Sequence, residues 1–127
     1  MTVVLDSWAI LRFLEGVSPA AEAVDALLHA ERPTVSWINL GEVFYVVRRV
    51  TSEADAMSAI RDLKASVQTE LPSEERVLDA ARIKAAFPLA YADAFAAATA
   101  VAHEAELWTG DPELLLADAT WRWRDLR

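Results

Sequence analysis

The sequence contains no cysteine among its 127 residues. This absence excludes disulfide bonds, thiolate metal sites and a cysteine nucleophile, and it favours a reducing, cytoplasmic location for the protein. Histidine is scarce as well: only two are present, His29 and His103, and neither has a partner at the spacing of metal ligands. Any metal site in this chain is therefore expected to use oxygen ligands.

Basic residues and long apolar runs are also in short supply. Lysine and arginine number 12 against 20 acidic residues, which gives a formal net charge of −8. A deficit of positive charge argues against broad, nonspecific binding of nucleic acid, although divalent cations could still recruit a nucleic-acid substrate to a local site. The longest apolar stretch, residues 94–102, is shorter than the ~18 residues that span a bilayer. The first residues lack the basic segment of a secretion signal, so we expect neither a targeting segment nor a membrane partner.

Short strand patterns alternate with helix patterns along the chain. Strands are predicted at 2–5, 33–35, 66–71, 106–109 and 120–126. Helices are predicted at 8–15, 19–30, 37–50, 52–65, 72–85 and 89–102, with a short additional helix from Pro112. The alternation predicts one α/β domain over residues 1–127 with a mainly parallel sheet.

Four acidic residues occupy positions that surface charges rarely take. Asp6 and Asp111 each follow a predicted strand, which is where parallel sheets place their ligands. Glu42 and Asp93 lie on apolar helix faces, with no lysine or arginine three or four residues away. Each acid also has a simpler explanation: a helix N-cap for the first two, a solvated side chain for Glu42, and a favourable first-turn acid for Asp93.

The four acids together predict more than any one of them alone. Two acids at strand ends and two on apolar helix faces can converge at one edge of the sheet. Carboxylate oxygens suit hard cations such as Mg²⁺ or Mn²⁺, which activate water and offset charge on a phosphoryl group. Without a metal the clustered carboxylates repel one another, so some of their pKa values should be raised.

Four motifs carry a family resemblance: VVLDSWAIL, INLGEVFYVVRR, LAYADAFAAATA and LWTGDPEL, in this order. Their order and spacing resemble the PIN-domain ribonucleases, and specifically the VapC-type toxins of VapBC toxin–antitoxin modules. The resemblance covers the whole chain, although each motif alone is short. It implies a three-layer α/β/α fold around a parallel sheet of about five strands. It also implies Mg²⁺- or Mn²⁺-dependent endonucleolytic cleavage of RNA by metal-activated water.

The resemblance also assigns roles to individual residues. The catalytic and metal-binding roles fall on Asp6, Glu42, Asp93 and Asp111. Ser7 and Thr109 match hydroxyl positions that help to arrange ligands or waters in the family. Glu113 matches a position that is only sometimes acidic, so it ranks below the four.

Two protein partners are implied by the same resemblance. One is a VapB-type antitoxin, whose C-terminal segment would cover an apolar groove and reach a basic side chain into the acidic site. Trp8, Phe13, Leu14 and Trp37 are the expected lining of that groove, although core packing explains them as well. The other partner is a second copy of the chain, in a homodimer.

Two other functional classes are compatible with a small α/β domain. A phospho-receiver-like signalling domain would need an apolar strand that ends in aspartate near mid-chain and a later lysine at a strand end. Residues 50–69 offer no such strand, and no lysine follows Lys84. A catalytically idle PIN-like module kept for protein binding stays open as the alternative; it would show no saturable metal binding.

Overall fold

The computed structural model describes residues 2–127. These residues form five strands and six helices, which follow one another along the chain in the order β1 Val3–Leu5, α1 Ser7–Glu15, α2 Ala20–Ala30, β2 Thr34–Ser36, α3 Trp37–Val50, α4 Glu53–Ser66, β3 Gln68–Glu70, α5 Glu74–Ala86, α6 Tyr91–Ala102, β4 Glu106–Thr109 and β5 Arg122–Asp125.

The five strands pair into one parallel sheet with the order β3-β2-β1-β4-β5. The central strand β1 pairs with β4 in a register that aligns Leu5 with Trp108. The residues that follow these two strands therefore leave the sheet at the same edge, which we call the carboxyl edge. The predicted α/β fold with a parallel sheet of about five strands is confirmed.

Alternation along β1 separates two apolar cores, because successive side chains on a strand point to opposite faces. Val3 and Leu5 join a core built with α1, α2, α3 and α4. Val4 joins a second core built with α5 and α6. The sheet thus lies between two layers of helices, as the resemblance implies.

The most deeply packed helix is α6, in which every residue from Asp93 to Ala100 is buried. Its alanine side chains occupy little space, so the helix backbone can pack closely against the sheet. No single helix among residues 2–127 is long and apolar enough to cross a membrane; only the α5–α6 pair, bent by 116°, passes on length and composition.

The helix predicted from Pro112 is wrong. The segment makes two separate turns, in which the amide of Leu114 donates to the Asp111 carbonyl at 3.0 Å and the amide of Ala119 donates to the Leu116 carbonyl at 3.2 Å. The carbonyl of Leu114, which a helix would use internally, instead accepts from the indole N–H of Trp121 at 3.0 Å, and the Leu116 carbonyl accepts from Trp123 at 3.0 Å in addition to its turn bond. Anchoring the last strand therefore replaces helix formation in this segment.

Candidate metal centre

An acid-lined cleft of about 370 Å³ opens at the carboxyl edge, beside the ends of β1 and β4. It is lined by Ser7, Trp8, Leu11, Glu42, Ala90, Asp93, Asp111, Pro112 and Glu113. Asp6 is fully buried next to this lining, close enough to Asp111 and Glu42 for their charges to act on it. The structure thus brings all four predicted acids together, and the lining includes no lysine or arginine.

Asp6 is held from two sides. Its Oδ1 accepts from the amide of Ala9 at 2.9 Å, so it caps α1. Its Oδ2 accepts from the hydroxyl of Thr109, and the Thr109 oxygen accepts in turn from the amide of Asp111 at 3.0 Å. Thr109 therefore ties the end of β1 to the loop that carries Asp111. The N-cap interpretation of Asp6 is correct as far as it goes, but it leaves the burial of the carboxylate unexplained.

Glu42 projects from α3 and is oriented by two hydroxyl groups. The buried Ser7 hydroxyl donates to Oε1, and the exposed Tyr45 hydroxyl donates to Oε2 over a longer 3.4 Å. Ser7 is the first residue of α1 and immediately follows Asp6, so the turn from β1 into α1 positions both the Asp6 carboxylate and the Ser7 hydroxyl. These contacts fix Glu42 at the wall of the cleft.

Three carboxylates form the tightest group in the cleft. Oxygens of Asp93, Asp111 and Glu113 lie within 4.8 Å of one another. Glu113 also accepts from the amide of Ala90 at 3.0 Å and so caps α6, which lacks a capping side chain of its own. Glu113, ranked below the four acids from sequence, thus belongs to the same close group as Asp93 and Asp111. The sequence signal for it was only its position two residues after Asp111.

The acids are electrostatically uncompensated. Burial, together with the charges of Asp111 and Glu42, raises the pKa of Asp6 to about 7 in spite of its hydrogen bonds. The pKa of Asp93 is raised far above its ordinary value by burial, by the charge of Asp111 and by its contact with Glu113. A set of carboxylate oxygens without a cation among them fits a hard divalent ion such as Mg²⁺ or Mn²⁺.

One wall of the cleft is aromatic. The Trp8 indole packs so closely on Gly110 that a Cβ at that position would overlap the ring. Arg12 covers the indole, with its guanidinium carbon 4.7 Å from the ring centroid, while it also pairs with Glu15. The absence of a side chain at Gly110 thus lets the loop that carries Asp111 lie against α1.

The single apolar groove expected from Trp8, Phe13, Leu14 and Trp37 is divided in the structure. Trp8 belongs to the acid-lined cleft. Phe13 and Leu14 line a hollow of about 260 Å³ between α1, α2 and α4, and Trp37 lines another of about 390 Å³ between α3 and α4. Residues of α4 form one side of both of these hollows, whereas Trp8 faces the ends of β1 and β4.

Sequence reasoning missed one buried polar residue near the cleft. Asn39 of α3 is 0% exposed, and its Nδ2 donates to the carbonyl of Ala92 at 3.1 Å. Its position three residues before Glu42, on the same helical face, was the available signal. Its contact lies 53 positions away in sequence, so no local pattern could indicate it.

Comparison with known proteins identifies the family to which this chain belongs. The family model for the PIN domain matches residues 3–119. The chain belongs to the PIN domain family, and the resemblance seen in its motifs is confirmed at this level. Among curated proteins, none matches the chain significantly by sequence.

Several solved structures share the fold. A DNA-bound VapBC from Salmonella typhimurium has a TM-score of 0.78 at 15% identity, with 100% of this chain and 99% of that chain covered. VapBC-1 from nontypeable Haemophilus influenzae has a TM-score of 0.74 at 24% identity, with 99% and 98% covered. VapC20 of Mycobacterium tuberculosis, a sarcin–ricin loop cleaving toxin, has a TM-score of 0.72 at 14% identity, with 87% and 90% covered. At these identities the likeness establishes the fold.

Proposed function

We propose that this protein is a metal-dependent endoribonuclease and the cytoplasmic toxin of a type II toxin–antitoxin module. The observation that carries the proposal is the acid-lined cleft, in which five carboxylates meet without a neutralising lysine or arginine. Buried clusters of like charge with raised pKa values are typical of functional sites. Membership of the PIN domain family and the fold shared with VapC proteins support the same conclusion.

The position of each cleft acid suggests its role in binding a metal ion. Asp93, Asp111 and Glu113 offer the closest oxygens and would hold Mg²⁺ or Mn²⁺. Glu42, which also lines the cleft, and Asp6, buried next to it, are the further candidate ligands. When bound, such a cation lowers the pKa of coordinated water and offsets the charge of a phosphodiester.

The hydroxyl contacts of Ser7 and Thr109 hold Glu42 and Asp6 in fixed orientations. Because these bonds are made within the protein, the ligands are oriented before substrate arrives. The indole of Trp8 lines one side of the cleft and offers it an apolar wall.

RNA is the substrate that we propose, on the basis of the family and the shared fold, and the charge of the protein does not exclude it. A polyanion gains little from a protein of net charge −8 unless cations held among the acids offset the local repulsion. Cleavage of a ribosomal loop by VapC20 supports an RNA substrate for the shared fold, while the particular RNA depends on loop shape and side chains outside the acids.

The partners we propose are a VapB-type antitoxin and a second copy of the chain. VapBC complexes are among the structures that share the fold, which supports an antitoxin. A cationic side chain from the antitoxin would be attracted to the uncompensated acids and would compete with the metal. Inhibition would then act on the same charges that support catalysis.

The test is cleavage of RNA by purified, metal-stripped protein in Mg²⁺, in Mn²⁺ and in chelator. Asp93→Ala removes a cleft acid, and Asp118→Ala removes an exposed acid outside the cleft as a matched control. We expect metal-dependent cleavage by the native protein and the control, and none by Asp93→Ala. Full cleavage by Asp93→Ala would refute the assignment. Absence of both cleavage and saturable metal binding in the native protein would favour the idle protein-binding module instead.

A further inference from the structure

The two helices that carry the opposing acids of the cleft are anchored in different layers. The apolar face of α3, through Leu40 and Val43, belongs to the core on one side of the sheet. The apolar face of α6, through Ala94 and Phe95, belongs to the core on the other side. The two helices also contact each other directly, so the contacts at this junction between the cores help to set the distance between Glu42 and Asp93.

A single side-chain hydrogen bond joins these helices within residues 2–127: Asn39 Nδ2 donates to the Ala92 carbonyl at 3.1 Å. Asn39 lies one helical turn before Glu42 on the same face of α3. Ala92 immediately precedes Asp93 in the first turn of α6. The bond thus connects the backbone next to one acid with the helix turn that carries the other.

The rest of the Asn39 side chain is poorly suited to a purely structural role. Asn39 is 0% exposed, and its Oδ1 finds no hydrogen-bond partner among residues 2–127. A buried acceptor without a partner costs stability, and an apolar side chain of similar size would avoid that cost. Local choices that weaken the fold concentrate at functional sites, where another requirement outweighs stability.

We propose that Asn39 is a positioning residue of the acid-lined cleft, whose bond to Ala92 sets the separation of Glu42 and Asp93 and thereby the affinity of the cleft for a divalent cation. The inference rests on the proposed metal-dependent function. Groups that hold metal ligands in place typically alter metal affinity by about 10- to 100-fold when they are removed, so the expected effect is measurable without any activity assay.

The experiment is a calorimetric titration of metal-stripped protein with Mn²⁺. Asn39→Leu keeps the approximate size and removes the donor, and we expect its dissociation constant for Mn²⁺ to rise about tenfold or more. Thr99→Val is the matched control, because Thr99 is also fully buried and polar but makes its short bond within its own helix, to the Phe95 carbonyl at 2.7 Å, and its longer contact at 3.5 Å is to Glu70, outside the cleft. We expect native Mn²⁺ affinity in this control.

A double-mutant cycle separates positioning from general damage. If Asn39 acts by placing α3 relative to α6, Asn39→Leu should lose its effect on Mn²⁺ affinity in a Glu42→Gln background. A loss of equal size in both backgrounds would overturn the positioning role. Should Asn39→Leu fail to fold, Asn39→Ser keeps a short donor, and we expect its Mn²⁺ affinity to lie between the native and Leu values.

The outcomes distinguish this inference from the proposed function. Saturable Mn²⁺ binding by the native protein, with the same affinity in Asn39→Leu or Asn39→Ser, would overturn the inference alone. No saturable binding by the native protein would overturn both.

Discussion

Two acidic sites lie at the carboxyl edge of the same sheet, the single acid Glu70 and the acid-lined cleft, and their acids have pKa values shifted in opposite directions. Glu70, the last residue of β3, accepts from Arg76 Nε and Nη2 at 2.9 and 3.2 Å, and contacts His103 Nε2 at 2.7 Å. Although partial burial works against it, these bonds hold the pKa of Glu70 below its ordinary value. In the acid-lined cleft, burial and mutual repulsion raise the pKa values of Asp6 and Asp93.

The two sites differ in whether the fold brings a cationic side chain close to the acid. The helix α5 brings Arg76 to Glu70, and the end of α6 brings His103, whereas the cleft lining includes no lysine or arginine. A buried charge without a partner weakens the folded state. The cleft therefore offers uncompensated negative charge to a cation from outside the chain, and Glu70 serves as an internal reference for an acid that the protein neutralises itself.

The largest expected effect is on cleavage. Asp111→Asn removes a charge from the closest carboxylate group without changing its shape. We expect the rate of RNA cleavage in Mn²⁺ to fall by at least ~100-fold, the upper end of losses seen for residues that only support metal ligands. Glu70→Gln alters the reference acid, and its cleavage rate per folded molecule should stay near native. Comparable losses in both variants would break the comparison.

The free energy of unfolding should change in opposite directions when an acid is neutralised at Glu70 and in the cleft. Glu70→Gln leaves Arg76 largely buried with a weakened partner, and we expect the free energy of unfolding to fall by about 2 kcal/mol. In the metal-free protein Asp93 must either bury a charge or take up a proton on folding. Asp93→Asn removes that cost, so the metal-free protein should become more stable at pH 8. Urea unfolding in chelator measures both changes. A destabilised Asp93→Asn would show that the carboxylate is compensated within the protein.

The pH dependence separates the two groups further. The folded-state pKa of Asp6 is about 7 against an ordinary 3.8, so between these values the folded protein holds a proton that the unfolded chain has released. Stability of the metal-free protein should therefore decrease as the pH rises from 5 to 8. The lowered pKa of Glu70 acts in the other direction and only at more acidic pH.

Thermal melts in chelator at pH 5, 6, 7 and 8 check this expectation. Asp6→Asn should flatten the decline, and Glu70→Gln should leave its slope unchanged. A melting temperature that rises over this range without metal would contradict the account.

The smallest expected effect concerns the orientation of Glu42. Ser7→Ala removes the buried hydroxyl that donates to Oε1, and Mn²⁺ affinity should fall about tenfold, the lower end for a supporting contact. Tyr45→Phe removes the longer, exposed contact at 3.4 Å, so its effect should be smaller. Calorimetry ranks the two variants, and equal losses would show that burial of the donor does not decide its contribution.

Local patterns predicted most of this architecture. The apolar run at Val3–Leu5 followed by Asp6, and the strand ending at Thr109, are short-range signals, and the structure places both strands as expected. The helix from Pro112 was wrong because tertiary contacts with Trp121 and Trp123 redirect the carbonyls of that segment. A local sequence pattern carries no information about indole groups that bond the segment from elsewhere in the fold.

The sequence predicted the four acids of the cleft but not the contacts that hold the cleft together. The position of Glu113 depends on the turn after β4, and the contact of Asn39 with Ala92 depends on how two layers of helices meet. Both contacts join segments that are remote in sequence, 23 and 53 positions apart. They follow from the assembled fold rather than from any periodic pattern.

The most direct test of the central claim is to count protons when the cleft binds metal. Native protein in chelator-free buffer at pH 7 is titrated with Mn²⁺ in two buffers of different ionisation enthalpy. Because the raised pKa values of Asp6 and Asp93 leave them partly or largely protonated at this pH, saturable binding should release protons. Asp93→Asn should bind weakly and release fewer. Native protein that shows no saturable binding, or binds without releasing protons, would contradict a cation-compensated acidic cleft.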